Sequence, residues 1–507
     1  MRYYFFCMIL LLVFILGNSC RKDLAYAPSA GNLEFSRDTV YLDTIFANIG
    51  SSTRTLKIYN RNRDDIEIPS ISLAKGLASK YRLNVDGVAG KEFVNIPIFA
   101  QDSIFIFIET TIPPDASSAV DFLYTDAIQF DTGEDLQQVE LVTLVKDAIF
   151  LYPKTLPDGS KESISLGYDE AGNEIRVSGS MLSNEHLIFT NEKPYVIYGY
   201  AAVPSGQELL INAGARVHFH KDSGIYVGSG AVLEINGALS EDQIALENEV
   251  VFEGDRLENE YDVIPGQWGT IWIASGSTEN TINYLTIKNA TIGLTVEGDG
   301  LLEFSTLNIQ NSKIYNSLSS NLWAKTASIN AQNIILGNSG ETSLHCNIGG
   351  KYSFTHCTIA NYWSNGFRVG SALEIDNYNS DAAADLTKAE FVNCIIDGNS
   401  FLELVLNENE INTFSYSFTN CMLKFRDDSG QFMGDDLYDF QNNIAYDQVL
   451  LNQDANFLEP SKNNFRIGNT SAALNKGNLD AALLVPLDIL GKNRTTSPAI
   501  GAYQTLQ

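Results

Sequence analysis

The second half of the chain repeats a short motif at a constant interval. Each copy places an asparagine two residues after one apolar residue and three residues before another. Three copies, 22 residues apart, centre on Asn289, Asn311 and Asn333. Looser copies centre on His356, Asn393 and Asn420. A constant step of this size is typical of a solenoid, in which each coil packs against the next.

The residues between the asparagines favour strands over helices. Short runs such as Tyr284–Ile287 and Leu307–Ile309 alternate with Asn, Ser and Gly, and their apolar residues recur too closely for one face of a helix. Stacked coils pair each strand with the strands above and below it, so equivalent residues form ladders. The sequence therefore predicts a parallel β-helix.

The residue after each Asn or His of the motif is mostly small or apolar. These residues are Ala290, Ser312, Ile334, Cys357, Cys394 and Cys421. We expect this column to point into the solenoid, where cysteine packs as a small apolar side chain. Disulfide formation or metal binding is the alternative. The asparagines and His356 are expected to be corner residues, because Asn tolerates left-handed backbone and can bond along a ladder.

Residues 1–19 have the layout of a signal peptide. The basic Arg2 precedes an apolar run, Tyr3–Leu16, that is too short to span a membrane as a helix. The sequence Leu-Gly-Asn-Ser-Cys that follows resembles the lipobox of bacterial lipoproteins. This resemblance implies cleavage before Cys20, acylation of its thiol, and attachment to the outer membrane on the periplasmic or cell-surface side. An uncleaved anchor or ordinary secretion is the alternative.

The charge of the chain restricts its partners. It has 62 acidic and 33 basic side chains and a formal net charge of −29. Such a charge repels nucleic acids and anionic membranes, so no nucleic-acid partner is expected. It also argues against a strongly anionic polysaccharide as ligand, unless a local basic patch or bound cations reverse the field.

The region before the repeats is predicted to contain a tether, residues 20–32, and a β-sandwich, residues 33–150. Runs such as Thr39–Leu42 and Ile104–Ile108 alternate with a period of two and are separated by turn signals. About seven such strands in a segment of this length are typical of a sandwich.

Part of the predicted sandwich resembles bacterial immunoglobulin-like domains of the hydin type. The resemblance rests on Asn48–Thr53, followed by Leu56–Asn60 and Ile71–Leu73. It implies an Ig-like domain that acts as a spacer or a docking module.

The rest of the chain is divided into a connector, residues 151–200, a β-helix, residues 201–425, and a C-terminal capping segment, residues 426–507. The Pro265–Gly269 segment with its Trp-Gly pair, and the closing motif Ser497–Tyr503, resemble right-handed β-helix repeat proteins of the pectin-lyase-like superfamily. The whole order of lipidated cysteine, sandwich, β-helix and tail resembles envelope lipoproteins of Bacteroidota-type bacteria. The expected fold class is all-β, an Ig-like sandwich followed by a right-handed parallel β-helix.

One interval between motif copies is longer than the others. It measures 37 residues, from His356 to Asn393, so about 15 residues must leave the solenoid as a loop. This loop contains Tyr362 and Trp363, which could stack on a sugar ring, and Arg368, which could bond its hydroxyl groups. The alternative is that both aromatic residues only cover the edge of a coil.

Metal binding receives weak support. Asp376, Asn379 and Asp381 loosely suggest a calcium loop, but they lack the glycine and the distal glutamate of an EF-hand. His218 and His220 share one face of a strand, yet no third ligand is placed near them by spacing. No other cofactor is expected.

The sequence assigns no catalytic residue. The Gly-His-Gly and Arg-Ile-Lys motifs of polygalacturonase-type hydrolases are absent, and so are the Trp-Ile-Asp-His and Arg-x-Pro-x-x-Arg motifs of pectate lyases. Three functions remain. The protein is a binding module for a glycan or an envelope protein, a divergent polysaccharide lyase or glycoside hydrolase, or a structural scaffold or spacer in a cell-surface assembly.

Overall fold

The computed structural model describes residues 26–114, 121–168, 173–300 and 303–505. The predicted signal peptide and Cys20 lie outside the described residues. The chain divides into two compact units, Met1–Asp147 and Ala148–Gln507. The described residues form strands and loops, with one α-helix, α1 (Leu479–Leu484), so the all-β prediction is confirmed. In the part of the chain that is described, no helix has the length and apolar character needed to cross a membrane.

Six single-turn 3₁₀ helices occur among the described residues. They are Gly76–Ala78, Gly133–Asp135, Asn184–His186, Asn259–Tyr261, Asp436–Tyr438 and Pro460–Lys462.

The first unit contains eleven strands in its described part. They are β1 (Ala27–Pro28), β2 (Glu34–Phe35), β3 (Thr39–Phe46), β4 (Arg54–Tyr59), β5 (Ile66–Leu73), β6 (Tyr81–Val85), β7 (Val88–Gly90), β8 (Glu92–Ile98), β9 (Ser103–Thr110), β10 (Asp121–Phe130) and β11 (Gln137–Lys146). One sheet has the order β1-β5-β10-β11-β3, with β8 also paired to β5, and the other has the order β2-β4-β9-β6-β7.

The two sheets of the first unit share one apolar core. Alternate residues are buried in most of the longer strands, for example Ile68 and Ile128 in one sheet and Leu56 and Ile106 in the other. This is the period-two pattern from which the sandwich was predicted. The prediction of a β-sandwich is therefore confirmed, with short additional edge strands, and the Ig-like assignment stays a prediction.

The second unit is built from three long sheets, which we name sheets A, B and C. Sheet A contains Ile149–Leu151, Tyr195–Ile197, Arg216–Phe219, Val250–Gly254, Leu285–Lys288, Lys313–Ser317, Ile335–Ser339, Thr358–Asn361, Ile395–Gly398, Met422–Leu423 and Leu450–Leu451. Sheet B contains Ser163–Tyr168, Glu174–Met181, Tyr200–Val203, Gly224–Val227, Ile271–Ile273, Leu294–Glu297, Leu322–Lys325, Leu344–Asn347, Leu373–Asp376 and Leu404–Asn407. Sheet C contains Ile188–Phe189, Glu208–Asn212, Val232–Asn236, Asn280–Asn283, Leu307–Gln310, Ser328–Gln332, Gly350–Thr355, Leu386–Val392, Phe414–Thr419 and Tyr446–Asp447.

The chain visits sheets C, A and B in turn, and each circuit is one coil of a parallel β-helix. Neighbouring strands in each sheet are parallel, apart from the hairpin of Ser163–Tyr168 and Glu174–Met181 that begins sheet B. The hairpin and Ile149–Leu151 already belong to the sheets. The solenoid therefore begins within the segment predicted to be a connector.

Inward-facing side chains form the core of the solenoid and stack from coil to coil. The rings of Phe354, Phe391 and Phe418 stack with centroid separations of 5.1 and 5.0 Å. Such spacing follows from the roughly 4.8 Å separation of paired strands. Because each ring lies over the next, the ladder buries three large side chains in one column.

The asparagine motif marks two corners of the coil instead of one. Asn283 pairs with Gln310 in sheet C, so Tyr284, not Asn289, is the equivalent of Asn311. Asn289 follows Lys288, which pairs with Tyr315 in sheet A. The prediction that Asn289 shares a column with Asn311 is wrong, because the 22-residue spacing compares two different corners.

Both corners use left-handed backbone. The corner between sheets C and A has positive φ angles at Tyr284, Asn311, Asn333, His356, Asn393, Asn420 and Gln448. The corner between sheets A and B has them at Asn289, Asn316 and Asn338. Amide groups bond along these columns, with Asn333 Nδ2 3.0 Å from Asn311 Oδ1 and Asn316 Nδ2 2.5 Å from Asn289 Oδ1. The corner role predicted for these asparagines follows from this tolerance of left-handed backbone.

The cysteines of the motif point into the solenoid, as predicted. Cys357, Cys394 and Cys421 are fully buried free thiols. Their Sγ atoms contact backbone carbonyl oxygens, including that of Phe354 at 3.3 Å from Cys394 Sγ. Burial raises the pKa of the Cys357 and Cys394 thiols, which keeps them protonated and unreactive.

The C-terminal segment covers the flank of the solenoid as well as its end. Outward-facing residues of sheet A, such as Ile335 and Ala360, pack against Phe465, Ile489 and Ala502. A second cluster joins Ile395 and Met422 of sheet A to Ala455, Ile467, Ala473, Ala499 and Ile500. The predicted cap is therefore also a cover for one outer face.

Two details fix this cover in place. Gly337 leaves room for the Phe465 ring, since a Cβ at that position would lie 2.2 Å from a ring carbon. The buried Arg494 donates hydrogen bonds to Asn333 Oδ1 at 2.9 Å and to the Gly501 carbonyl at 3.2 Å. At the end of the solenoid, an aromatic cluster covers the last coil, and its members are Phe425, Phe432, Tyr438, Phe440 and Tyr446.

His356 makes the stability of the solenoid sensitive to acid. The side chain is fully buried, and burial together with Arg494 lowers its pKa to about 2. Its stabilising contribution is complete above the unfolded pKa of about 6.5 and is lost as the pH falls. We expect the free energy of unfolding to drop by about 2 kcal/mol from pH 7.5 to 5.0 through this residue alone.

His356→Asn places the residue of the neighbouring coils at this corner and should remove that part of the pH dependence. Urea denaturation at the two pH values measures it, and His186→Asn, at a partly exposed position, is the control. An unchanged pH dependence in His356→Asn would contradict the burial of a neutral imidazole.

Candidate functional site

The outer face of sheet A changes character along the solenoid. From Ile335 onwards its outward-facing residues are mainly apolar and lie under the C-terminal segment. In the preceding coils the same columns carry charged residues. One column contains His218, Glu253, Lys288 and Tyr315 on successive strands, and the other leads from Arg216 to Lys313. The sequence thus marks where the cover ends and a polar surface begins.

Two ion pairs occupy this polar surface. Glu249, with 1% of its side chain exposed, accepts hydrogen bonds from Lys313 Nζ at 2.9 and 3.2 Å and from Thr286 Oγ1 at 2.8 Å. Glu253 pairs with Lys288, and its Oε1 lies 3.7 Å from His218 Nδ1. Both carboxylates are therefore held by cations from later coils.

The Glu253–Lys288 pair is charged. Burial alone would raise the pKa of Glu253, but the charges of His218 and Lys288 outweigh burial and hold that pKa below its usual value. For Lys288, burial would lower the pKa, but Glu253 outweighs it and the pKa is raised. An ionised carboxylate that is engaged in this way cannot donate a proton.

An open cleft of about 950 Å³ lies over this surface. Its floor contains Lys313 and Tyr315. One wall is the loop of residues 241–246, and the other is formed by residues 462–466 and Tyr503 of the C-terminal segment. The cleft is thus the space between the C-terminal segment, where it stops covering sheet A, and the loop of residues 241–246 from an earlier coil.

A second cleft of about 330 Å³ continues along the C-terminal segment. Arg466 and Tyr503 line both clefts, and Lys492 lines the second. The Arg466 guanidinium lies 5.9 Å from the centre of the Tyr503 ring. We name the two adjoining clefts the groove.

The groove has an acidic rim and a basic rim. Glu241 and Asp242 lie on the loop side, and Lys462 and Arg466 lie opposite them. Lys462 is paired with Glu459 at 2.7 Å, whereas Arg466 forms no ion pair with a described carboxylate. The basic rim is a local exception to the strongly acidic composition of the chain.

The structure corrects the predicted stacking platform in the inserted loop. Trp363 is only 6% exposed, so its ring cannot lie against a sugar. The Arg368 side chain forms a buried ion pair with Glu403 at 2.5 Å and donates to Asn399 Oδ1 at 2.8 Å. Both residues attach the loop to the corner of the solenoid, which is the alternative considered for the aromatic residues.

Tyr362 borders a smaller polar cleft of about 250 Å³. Its hydroxyl donates to Asp397 Oδ2 at 2.9 Å, and Lys424 Nζ lies 3.7 Å from Asp397 Oδ1. Burial raises the pKa of Asp397, and burial and Asp397 raise that of Tyr362. Asp397 is therefore a carboxyl group that holds its proton more tightly than usual.

The residues considered for metal binding already have protein partners. Asp376 accepts from His345 Nε2 and from the Ile348 backbone N–H, both at 2.7 Å. Asn379 Oδ1 accepts from the backbone N–H groups of Asp381 and Ala382 at 2.9 Å. Among the described residues, no three His, Cys, Asp or Glu side chains are grouped so that they could hold a metal ion.

His218 and His220 do not share a ligand site. His218 Nδ1 lies 3.2 Å from the Gly254 carbonyl oxygen and close to Glu253, whereas His220 Nδ1 lies 2.7 Å from Asp255 Oδ2. Each imidazole is therefore bound to a different part of the next coil.

Comparison with known proteins assigns no family and no residue role to the chain. No protein-family model matches the chain, and no curated protein does. Among solved structures, it is similar to the catalytic domain of Agl-KA, with 12% identity over 74% of this chain and 78% of that chain and a TM-score of 0.23. It is also similar to the catalytic unit of a thermostable GH87 alpha-1,3-glucanase from Streptomyces thermodiastaticus, with 10% identity, coverage of 72% and 83%, and a TM-score of 0.21.

A shorter similarity involves a family 123 glycoside hydrolase from Clostridium perfringens. It has 12% identity and a TM-score of 0.16, and it covers 24% of this chain and 25% of that chain. At such low identities and TM-scores, the activity of none of these proteins can be assigned to this chain.

Lys313 is expected to hold the floor of the groove together. Its removal in Lys313→Met leaves the Glu249 carboxylate buried and without its cation, which should destabilise the protein by about 3–5 kcal/mol. Lys462→Met removes an exposed pair and should cost less than about 1 kcal/mol. Chemical denaturation compares the two variants, and equal losses would contradict the structural role of the Glu249–Lys313 pair.

Proposed function

We propose that the protein is an envelope-anchored binding module that holds a polysaccharide in the groove on sheet A. The observation that carries this proposal is the cleft of about 950 Å³ where the C-terminal segment stops covering the outer face of the solenoid. A second cleft adjoins it, since Arg466 and Tyr503 line both. Two adjoining clefts suit an extended chain better than a single small molecule.

The residues of the groove suit sugar chemistry. Tyr315 and Tyr503 offer aromatic surface with a polar end, which suits an apolar sugar face with hydroxyl groups at its edge. The loop and the basic rim add amide, carboxylate and guanidinium groups that can bond hydroxyl groups. Arg466 and Lys492 also provide the local basic patch that an acidic polysaccharide would need against the net charge of −29.

The ion pairs on the floor favour binding over catalysis. Glycoside hydrolysis by a pair of carboxyl groups needs one of them to carry a proton. Glu253 has a lowered pKa and Glu249 is bound to Lys313, so neither is suited to be the acid.

A glycoside hydrolase remains the second candidate because of Asp397. The raised pKa of this residue is the property that a general acid requires, and the cleft beside it also contains Asp454 as a second carboxylate. Formation of new reducing ends from a glycan panel, abolished by Asp397→Asn, would establish this alternative.

Retention in affinity gels containing neutral or acidic polysaccharides tests the binding role. The natural protein should be retarded by at least one polysaccharide without releasing new reducing ends. Lys462→Ser/Arg466→Ser should reduce the retardation several-fold, because these cations form one rim of the groove.

Arg176→Ser, an exposed cation on the hairpin of sheet B, is the matched control and should migrate like the natural protein. Trp363→Phe should also retain binding, since the Trp363 ring is buried. Equal retardation of the Lys462→Ser/Arg466→Ser variant and the natural protein would exclude the groove.

We also propose that the anchor is the acylated Cys20, which would attach the binding module to the outer membrane. The support is the signal-peptide layout of residues 1–19 and the Leu-Gly-Asn-Ser-Cys sequence. Cys20→Ala should release the protein from the membrane fraction, and a variant that stays with the membranes would refute lipid attachment at this residue.

A further inference from the structure

A separate cleft of about 430 Å³ lies at the corner between sheets A and B in the first coils. Its lining includes Tyr152, Tyr198, Lys161, His220 and Lys221. None of these residues lines the groove on sheet A. The cleft is thus a second concave site with its own set of polar groups.

The imidazole of His220 is fixed by two neighbours in its own column. Ile197 pairs with Phe219, which pairs with Gly254, so the next residue on each of the three strands falls at the same corner. These next residues are Tyr198, His220 and Asp255. The His220 ring stacks on Tyr198 with a centroid distance of 4.4 Å, and its Nδ1 lies 2.7 Å from Asp255 Oδ2.

This arrangement determines which nitrogen of the His220 imidazole can bind a ligand. The Asp255 side chain is 6% exposed, and its carboxylate accepts a hydrogen bond from His220 Nδ1–H. The His220 side chain is 48% exposed. Nε2 is therefore the ring nitrogen left for a molecule in the cleft.

Two lysines, Lys161 and Lys221, line the same cleft and favour an anionic ligand. Lys161 Nζ donates to Thr155 Oγ1 at 2.7 Å, and neither Lys161 nor Lys221 forms an ion pair with a described carboxylate. Asp222 is the acidic residue that lines the cleft with them. The lining of the cleft thus contains two lysines and one carboxylate, in a chain with 62 acidic and 33 basic side chains.

We propose that this cleft binds the anionic oxygen group of a small ligand, a carboxylate or a phosphate. His220 Nε2, Lys161 and Lys221 contact the anion, and the exposed Tyr152 ring covers the organic part of the ligand. Asp255 is a positioning residue that holds the imidazole. The site is independent of the polysaccharide groove, so either proposal stands without the other.

Nuclear magnetic resonance of histidine-labelled protein tests this site. The sequence has five histidines, and His220→Gln identifies the resonances of His220. The protein is titrated with sodium acetate and, separately, with inorganic phosphate, while sodium chloride keeps the ionic strength constant. The His220 ring signals should shift to saturation with at least one of the two anions, and the stronger response tells which group the cleft prefers.

Lys161→Ala/Lys221→Ala should weaken that binding at least tenfold, because both cations leave the cleft. Lys351→Ala/Lys476→Ala, which removes two exposed lysines elsewhere on the solenoid, should bind like the natural protein. The Lys161→Ala/Lys221→Ala variant should also keep its polysaccharide retention, which separates this site from the groove. No saturable shift of His220 with either anion, or equal binding by the two double-lysine variants, would overturn the proposal.

Discussion

The pairing of parallel strands from one coil to the next determines the rest of the solenoid. Each residue of a sheet lies about 4.8 Å from its equivalents in the coils above and below. A side chain is therefore surrounded by its own column, and the character of a column decides whether it is core, corner or surface. The stacked rings of Phe354, Phe391 and Phe418 and the buried thiol of Cys394 show this for the inner face.

The same constraint explains why the groove is where it is. Outward columns of sheet A are apolar where Phe465 and Ile489 cover them, and charged where the cover ends. A buried glutamate such as Glu249 is stable there because the register brings Lys313 to it from a later coil. The groove is thus a consequence of how far the C-terminal segment extends along one face.

The sequence predicted the fold class, the two β-rich regions and the burial of Cys357 because these depend on local periodicity. It misplaced Asn289, since two corners of one coil both accept left-handed Asn and a linear spacing cannot tell them apart. It left open whether Trp363 stacks on a sugar or covers the edge of a coil, because an inserted loop gives no sign of which side chains fold back. It missed the groove, whose walls come from the distant residues Glu241, Tyr315 and Arg466. The available signal for the groove was the change from charged to apolar residues at the outward positions of successive strands.

Hydrogen–deuterium exchange with and without a retained polysaccharide tests the central claim most directly. If the open part of sheet A binds the chain, amide exchange should slow in residues 241–246 and 462–466, the two walls of the groove. Exchange in the inserted loop around Trp363 should be unchanged. Slower exchange confined to that loop, or no change in either wall, would contradict the account.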